Sequence, residues 1–342
     1  MAAVAPGPGA SAALAAARAE PVRAPLSARQ RAGLGLLAVA LLVYPHVFDS
    51  PYAQHILVMI FIYGLAAQGW NVLAGYCGQI SLGQAVYFGI GAYCAAFPYV
   101  QWGLSPWLGM VAGVGVSVTV AILIGLPTFR LRGHYFAIAT LVIGEIAYTL
   151  VANWEYVGAA TGVWIPIGRE SPWLTLQFHD SKLPNYYIAL SFLSAATALV
   201  AWMERSKLGL YFRAIREESD AARSLGVDLT RYKLVAISIS AAFTALAGAQ
   251  MAQYVLIIDP ETVFPLLLSI LIVLMTMLGG LGTLWGPVIG ASVLFPLSEL
   301  TRVWFGGTGG AEDLMIYGLL IVLISVYWPG GVISLLRRLA AR

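Results

Sequence analysis

Residues 204–232 read ERSKLGLYFRAIREESDAARSLGVDLTRY, and this polar interruption decides how the chain is organised. Seven of its first fifteen residues are acidic or basic, in a protein where 10% of residues are charged. Its flanks, 185–203 and 233–256, are each long and apolar enough to cross a bilayer. The stretch is therefore a soluble loop on one face of a membrane protein. Its pattern is helical: Leu208, Tyr211, Phe212 and Ile215, then Ala221, Ala222 and Leu225, recur at steps of three or four with charges between them. Gly226 stands where such a helix would stop. Two readings fit a short amphipathic helix held there: a docking element for a partner outside the bilayer, or a helix lying on the lipid surface.

Composition supports the membrane setting. The 342 residues are 60% hydrophobic with mean hydropathy +0.81, whereas a soluble chain carries about a quarter charged residues. The apolar runs are continuous rather than alternating, which excludes a transmembrane β-barrel. The fold class is all-α, a polytopic transmembrane helical bundle. Residues 1–30, rich in Ala, Pro, Gly and Arg without a compact apolar core, read as a disordered cytoplasmic tail, and 31–342 as the transmembrane domain. About ten spans are expected, at 33–48, 53–74, 84–101, 106–128, 134–152, 185–203, 233–256, 264–280, 284–304 and 312–329. With the N-terminus inside and strict alternation, sixteen of the nineteen Lys and Arg residues fall inside and only Arg169, Lys182 and Arg302 outside, as the positive-inside rule requires. Both termini are then cytoplasmic, 204–232 faces the cytoplasm, and 153–184 is the long external loop.

Two connections are too short and too glycine-rich for ordinary loops. One is Gly75-Tyr76-Cys77-Gly78-Gln79-Ile80-Ser81-Leu82-Gly83; the other runs Gly279-Gly280-Leu281-Gly282-Thr283-Leu284-Trp285-Gly286-Pro287. Gly75, Gly78, Gly83, Gly279, Gly280 and Gly282 are the candidate hinge or broken-helix positions. Irregular backbone at membrane depth is tolerated where it is buried in protein or lines a cavity, and its free N–H groups suit a carboxylate. Gln79, Ser81 and Gln84 make the first connection polar and are candidate substrate-path residues. Gly89 and Gly91 read instead as a helix-packing surface. Glu145, near the middle of its span, costs roughly 3 kcal/mol or more if ionised in lipid. It must face the interior, be protonated or find a partner, as a path residue, a proton site or a helix lock.

Enzymatic chemistry finds no support. There is no HExxH, GxSxG or Walker loop. His46, His55, His134 and His179 are not at metal-ligand spacing, and Cys77 and Cys94 read as small buried residues. No metal, cofactor or nucleic-acid partner is expected.

Four stretches together carry a resemblance: 75–83 running on to Phe88-Gly-Ile-Gly-Ala-Tyr93; Leu131-Arg-Gly-His-Tyr-Phe-Ala-Ile-Ala-Thr140 with Gly144-Glu145; Arg213-Ala-Ile-Arg-Glu217 through Ala221-Ala222, Leu225-Gly226 and Thr230-Arg-Tyr-Lys233; and 279–287. Spanning about 31–340, the chain resembles the permease subunit of bacterial branched-chain amino acid ABC importers, the LivM-like subfamily. The resemblance implies a multi-pass inner-membrane protein paired with a second permease, two cytoplasmic ATP-binding subunits and a periplasmic binding protein, with ATP hydrolysed on a separate subunit. It also implies that Arg216, Glu217, Asp220, Ala221, Ala222, Leu225 and Gly226 belong to an EAA-type coupling helix seated in an ATPase groove. Departures from the family pattern are His134 where Asp is frequent, Gln84 where His is common, and a 158–162 segment, with Thr161 as a further path candidate, that is less glycine-rich. They leave urea or an amide as the alternative solute. From another class, the alternative is an ion-coupled secondary transporter or channel with Glu145 as its proton site.

Overall fold

The computed structural model describes residues 28–47, 50–131, 133–166, 172–178, 181–304 and 331–333. The chain divides into two units, 1–49 and 50–342. In the first, α1 (Ala28–Val47) carries Pro45 in its last turn. The second holds the bundle: α2 (Pro51–Trp70) running into a π-helical turn (Asn71–Tyr76), α3 (Gln84–Trp102), α4 (Pro106–Thr128) and α5 (His134–Ala152). A connecting segment follows, with β1 (Val163–Trp164) and the single-turn α6 (Pro172–Thr175). Next come α7 (Leu183–Arg205), α8 (Lys207–Glu217), α9 (Ser219–Ser224) and α10 (Leu229–Val255). The described bundle closes with β2 (Ile257–Ile258), α11 (Pro260–Val263), α12 (Leu266–Gly279) and α13 (Gly286–Trp304).

Nine of the ten expected spans coincide with described helices, and 312–329 lies outside the described residues. Among the described residues, six spans are long and apolar enough to cross a membrane by length and composition: Pro51–Tyr76, Pro106–Thr128, His134–Ala152, Leu183–Arg205, Leu229–Val255 and Pro260–Gly279. The departure at α3 has a physical reason. It packs between α10, α4 and α12, so its fully buried Gln84 need not meet lipid and its mean hydropathy falls. In α13 the apolar run, Gly286–Leu300, is simply shorter.

Contacts between connections obey the alternation expected from the sequence. At one end, Val163 and Trp164 pair antiparallel with Ile258 and Ile257. There too His55 Nδ1 lies 2.8 Å from Tyr254 Oη, Trp107 Nε1 donates to Trp173 O at 2.8 Å, and Ser105 Oγ donates to Leu174 O at 2.8 Å. At the opposite end, Tyr76 Oη donates to Glu204 Oε1, and Lys233 Nζ stands 5.9 Å from the Phe129 ring centre. Gly331 packs against the backbone of Gly279 and Gly280 at this loop end. Trp102, Trp154, Tyr156, Trp164 and Trp173 are exposed at the far end, where amphipathic rings anchor a helix to the headgroups.

The centre of the bundle is α2, 83% buried over its apolar window, against α10, α13 and α7. Backbones touch where glycine permits it. A Cβ on Gly91 would overlap Ala245 O, one on Gly248 would overlap Phe88 O, and Gly89 lies under the Phe264 ring. The packing role expected for Gly89 and Gly91 is thus what the bundle uses, in the small-residue manner of membrane helices. By contrast, α5 is 17% buried. It leans on the bundle through one stripe, Phe136, Thr140 and Gly144, and its remaining faces are outward.

Candidate functional site

The loop 204–232 forms two helices, not the single one its periodicity implied. Glu218, with φ −154° and ψ 102°, breaks the run between α8 and α9. The apolar stripe of α8 is real: Phe212 and Ile215 are buried, and Gly209 lies so close to the Met203 carbonyl that a side chain there would collide. In α9 the stripe rotates. Ala222 is 2% exposed, within a cluster that includes Met203, Phe212, Ile215 and Leu229, whereas Leu225 is 85% exposed. The resemblance counts Ala222 among the coupling-helix residues; in the structure its methyl packs the loop onto the bundle. The face left open carries Leu210, Glu217, Asp220, Ala221, Leu225 and Gly226. Gly226, at φ +86°, ends α9 in the left-handed region as expected. Asp228 then caps α10, accepting from Arg231 N at 3.1 Å.

Behind this face the two glycine connections meet. Asn71, one turn before Gly75, accepts from Gly282 N at 2.8 Å through Oδ1 and donates to Thr283 O at 3.0 Å through Nδ2. Gln68 Nε2 donates to Leu284 O at 3.3 Å. A Cβ on Gly75 would overlap Asn71 Oδ1 and stand 2.6 Å from Gly282 N, so only glycine lets the two connections approach this closely. Arg216 Nη1 donates to Gly75 O in the same joint. Sequence reasoning missed Asn71 and Gln68, although two amides inside an otherwise apolar span were the available signal.

The polar residues that follow are engaged by the protein itself. Ser81 is buried; its carbonyl accepts from Trp70 Nε1 at 2.7 Å and its hydroxyl accepts from Gly83 N at 3.2 Å. Thr140 Oγ1 accepts from Leu82 N at 3.0 Å, and Ser269 Oγ from Ala85 N at 2.9 Å. Three hydroxyls therefore take N–H groups at the start of α3 that an anionic solute would otherwise use. Gln84 is fully buried, donating to Ser240 Oγ at 3.1 Å and accepting from Thr244 Oγ1 at 3.0 Å. It locks α3 to α10 in this conformation. Gln79 is half-buried, its amide 3.4 Å from Cys77 O. At the far end Thr161 donates to Gly158 O at 2.7 Å within its own turn.

Cys77, between Gly75 and Gly78, reports on this joint. Burial pushes its thiol up to about 12, with Lys233 pulling weakly the other way. The thiolate is the reactive form, so at neutral pH maleimide is expected to label native Cys77 about a thousandfold more slowly than an ordinary thiol. Rapid stoichiometric labelling before denaturation, read by intact mass, would contradict the closed joint.

Glu145 lies on an outward face of α5, in a shallow open depression with Leu141, Val142, Ile146, Thr149 and Leu150. Of the options open to it, the interior of its own bundle is therefore excluded. The structure thus brings the glycine connections and Arg216 together at the loop end, and leaves Glu145 and Thr161 apart from them.

Comparison with known proteins agrees with this architecture. Residues 52–324 match the family model described as branched-chain amino acid transport system / permease component. The chain is 31% identical over 330 residues to the high-affinity branched-chain amino acid transport system permease protein LivM of Salmonella typhimurium, covering 90% of this chain and 76% of that one. Identity is 30% over 331 residues to LivM of Escherichia coli, with the same coverage. To the LivH permease protein of Salmonella typhimurium it is 24% over 289 residues, covering 80% of this chain and 91% of the other.

Proposed function

The chain belongs to the family of branched-chain amino acid transport permeases, and from that premise we propose that it is one membrane-spanning subunit of an ATP-driven importer in a bacterial inner membrane. A second permease lies beside it, two ATP-binding subunits dock on the loop end, and a periplasmic binding protein delivers the solute at the far end. The solute is a branched-chain or related amino acid. The N-terminus and the loop 204–232 are cytoplasmic.

The observation that carries this reading is the open face of α8 and α9. Leu210 and Leu225 are exposed at 66% and 85% among charged neighbours, on helices whose opposite side is bound to the glycine joint. A helix presented in this manner suits a groove in a soluble partner. Nucleotide drives the transition only through different affinities for the two states, and a helix packed on two irregular connections gives those states a place to differ. The second permease is supported by α5. A carboxylate facing hydrocarbon is expensive, so the face bearing Glu145 is better placed against another subunit and a hydrated solute path between the two. There Glu145 pairs with the ammonium group of an amino acid.

Uptake into proteoliposomes containing the assembled complex tests the reading. Uptake is expected to require ATP and loaded binding protein. Glu145→Gln is expected to reduce it without changing the shape of its pH profile across the neutral range. ATP-independent uptake that loses proton coupling in Glu145→Gln would instead identify an ion-coupled carrier.

A further inference from the structure

We propose that Arg216 is the positioning residue through which movement of the loop helices reaches both glycine connections at once. The inference rests on the importer reading above, since it concerns how the docked helices act on the membrane bundle.

The geometry starts with the end of the Pro51–Tyr76 helix. Its last carbonyls need partners beyond the ordinary ladder. Val72 O accepts from Cys77 N, Ala74 O from Gly78 N at 3.1 Å, and Leu73 O from Gln79 N at 3.0 Å. Gly75 O is taken by the guanidinium of Arg216, 141 residues further on. A cation is favoured there twice over. The carbonyl end of a helix carries partial negative charge, and a charged donor makes a stronger hydrogen bond than a neutral one.

The same guanidinium lies against the second connection. A Cβ on Gly282 would overlap Arg216 Nη1 and stand 2.8 Å from Gly75 O. On Gly78 a Cβ would meet the Arg216 Cα at 3.1 Å. The side chain therefore occupies the point where 75–78, 282 and the end of α8 converge, and glycine at 78 and 282 makes room for it. The loop is held at its other end too, by the hydrogen bond from Tyr76 to Glu204 just before α8. A force on α8 and α9 thus has two attachments to the 71–78 segment, and the one at Arg216 also bears on Gly282. Arg216 is itself an exposed residue, and what distinguishes it from Leu225 is that its guanidinium reaches the Gly75 carbonyl.

The test uses the complete complex with its ATP-binding subunits. Solute transported per ATP hydrolysed is measured for Arg216→Ala and Arg216→Lys, with maleimide labelling of Cys77 followed with and without ATP. In the wild type, ATP is expected to accelerate Cys77 labelling as the joint opens. Arg216→Ala is expected to retain the ATP-binding subunits, lower the transport-to-hydrolysis ratio about tenfold, and abolish the ATP effect on Cys77. Arg216→Lys, with a point charge instead of a fork of donors, should lower the ratio about threefold. A wild-type ratio in whichever variant is recovered would overturn the proposal, as would ATP-insensitive labelling in the wild type. Failure to recover any ATP-binding subunit with the wild-type chain would instead remove the importer reading, and is seen before a variant is made.

Discussion

Leu225→Arg is expected to strip the ATP-binding subunits from the permease while leaving the permease folded. Leu225 is 85% exposed, one residue past the end of α9, so its replacement removes almost no internal packing. Exposed substitutions away from special features usually change stability by no more than about 0.5 kcal/mol. At the centre of a docked interface the same change is severe. It deletes an apolar anchor and leaves a charge in the groove built for it, and loss of an anchor of this kind costs about 2 kcal/mol or more, roughly thirtyfold in affinity. The measurement is the ratio of ATP-binding subunit to permease after affinity purification in mild detergent, with size-exclusion to establish that the permease is intact. Undiminished recovery would show that the open face of α9 is not the docking surface.

Ala222→Arg is expected to fail differently, three residues away. Ala222 is 2% exposed and packs in the cluster that includes Met203, Phe212, Ile215 and Leu229. A guanidinium introduced there has neither room nor a partner, and an uncompensated buried charge costs about 3–5 kcal/mol. The loop helices should detach from the bundle, so the permease itself loses its monodisperse peak or its thermal transition falls sharply. A fully stable Ala222→Arg permease that merely lacks its partners would mean that α9 is turned the other way. The contrast between these substitutions separates a docking face from a packing face on one turn and a half of helix.

Much of the architecture was legible in the residues because lipid is an unforgiving solvent. Every backbone group in a span must be bonded internally, so long apolar runs leave little choice but helix. The clustering of Lys and Arg then sets alternating ends that the contacts of Tyr76 with Glu204 and of Val163 with Ile258 respect. Gly226 stopped its helix where expected, and Gly91 packed where expected, since both depend on local sterics. What was not legible depends on rotation and on distant partners. Period alone placed Ala222 and Leu225 on one stripe, but the break at Glu218 turns the second helix, so one is buried and the other exposed. The polarity of Gln79-Ile80-Ser81 was visible, yet not that Thr140 and Ser269, distant in sequence, supply hydroxyls to the following N–H groups. The resemblance counted Arg216 among the residues of the coupling helix, without its contact with the glycine connections. Only the folded chain shows its guanidinium reaching Gly75 O beside Gly78 and Gly282.

The most direct test of the central claim is co-purification of the tagged chain from cells that co-express its neighbouring genes, followed by ATPase assay with and without a binding protein loaded with a leucine-like ligand. Recovery of a Walker-containing subunit whose hydrolysis is stimulated by the loaded binding protein is the predicted result. A chain purified alone that still moves solute into liposomes without ATP would contradict it, and would make Glu145 the centre of the mechanism.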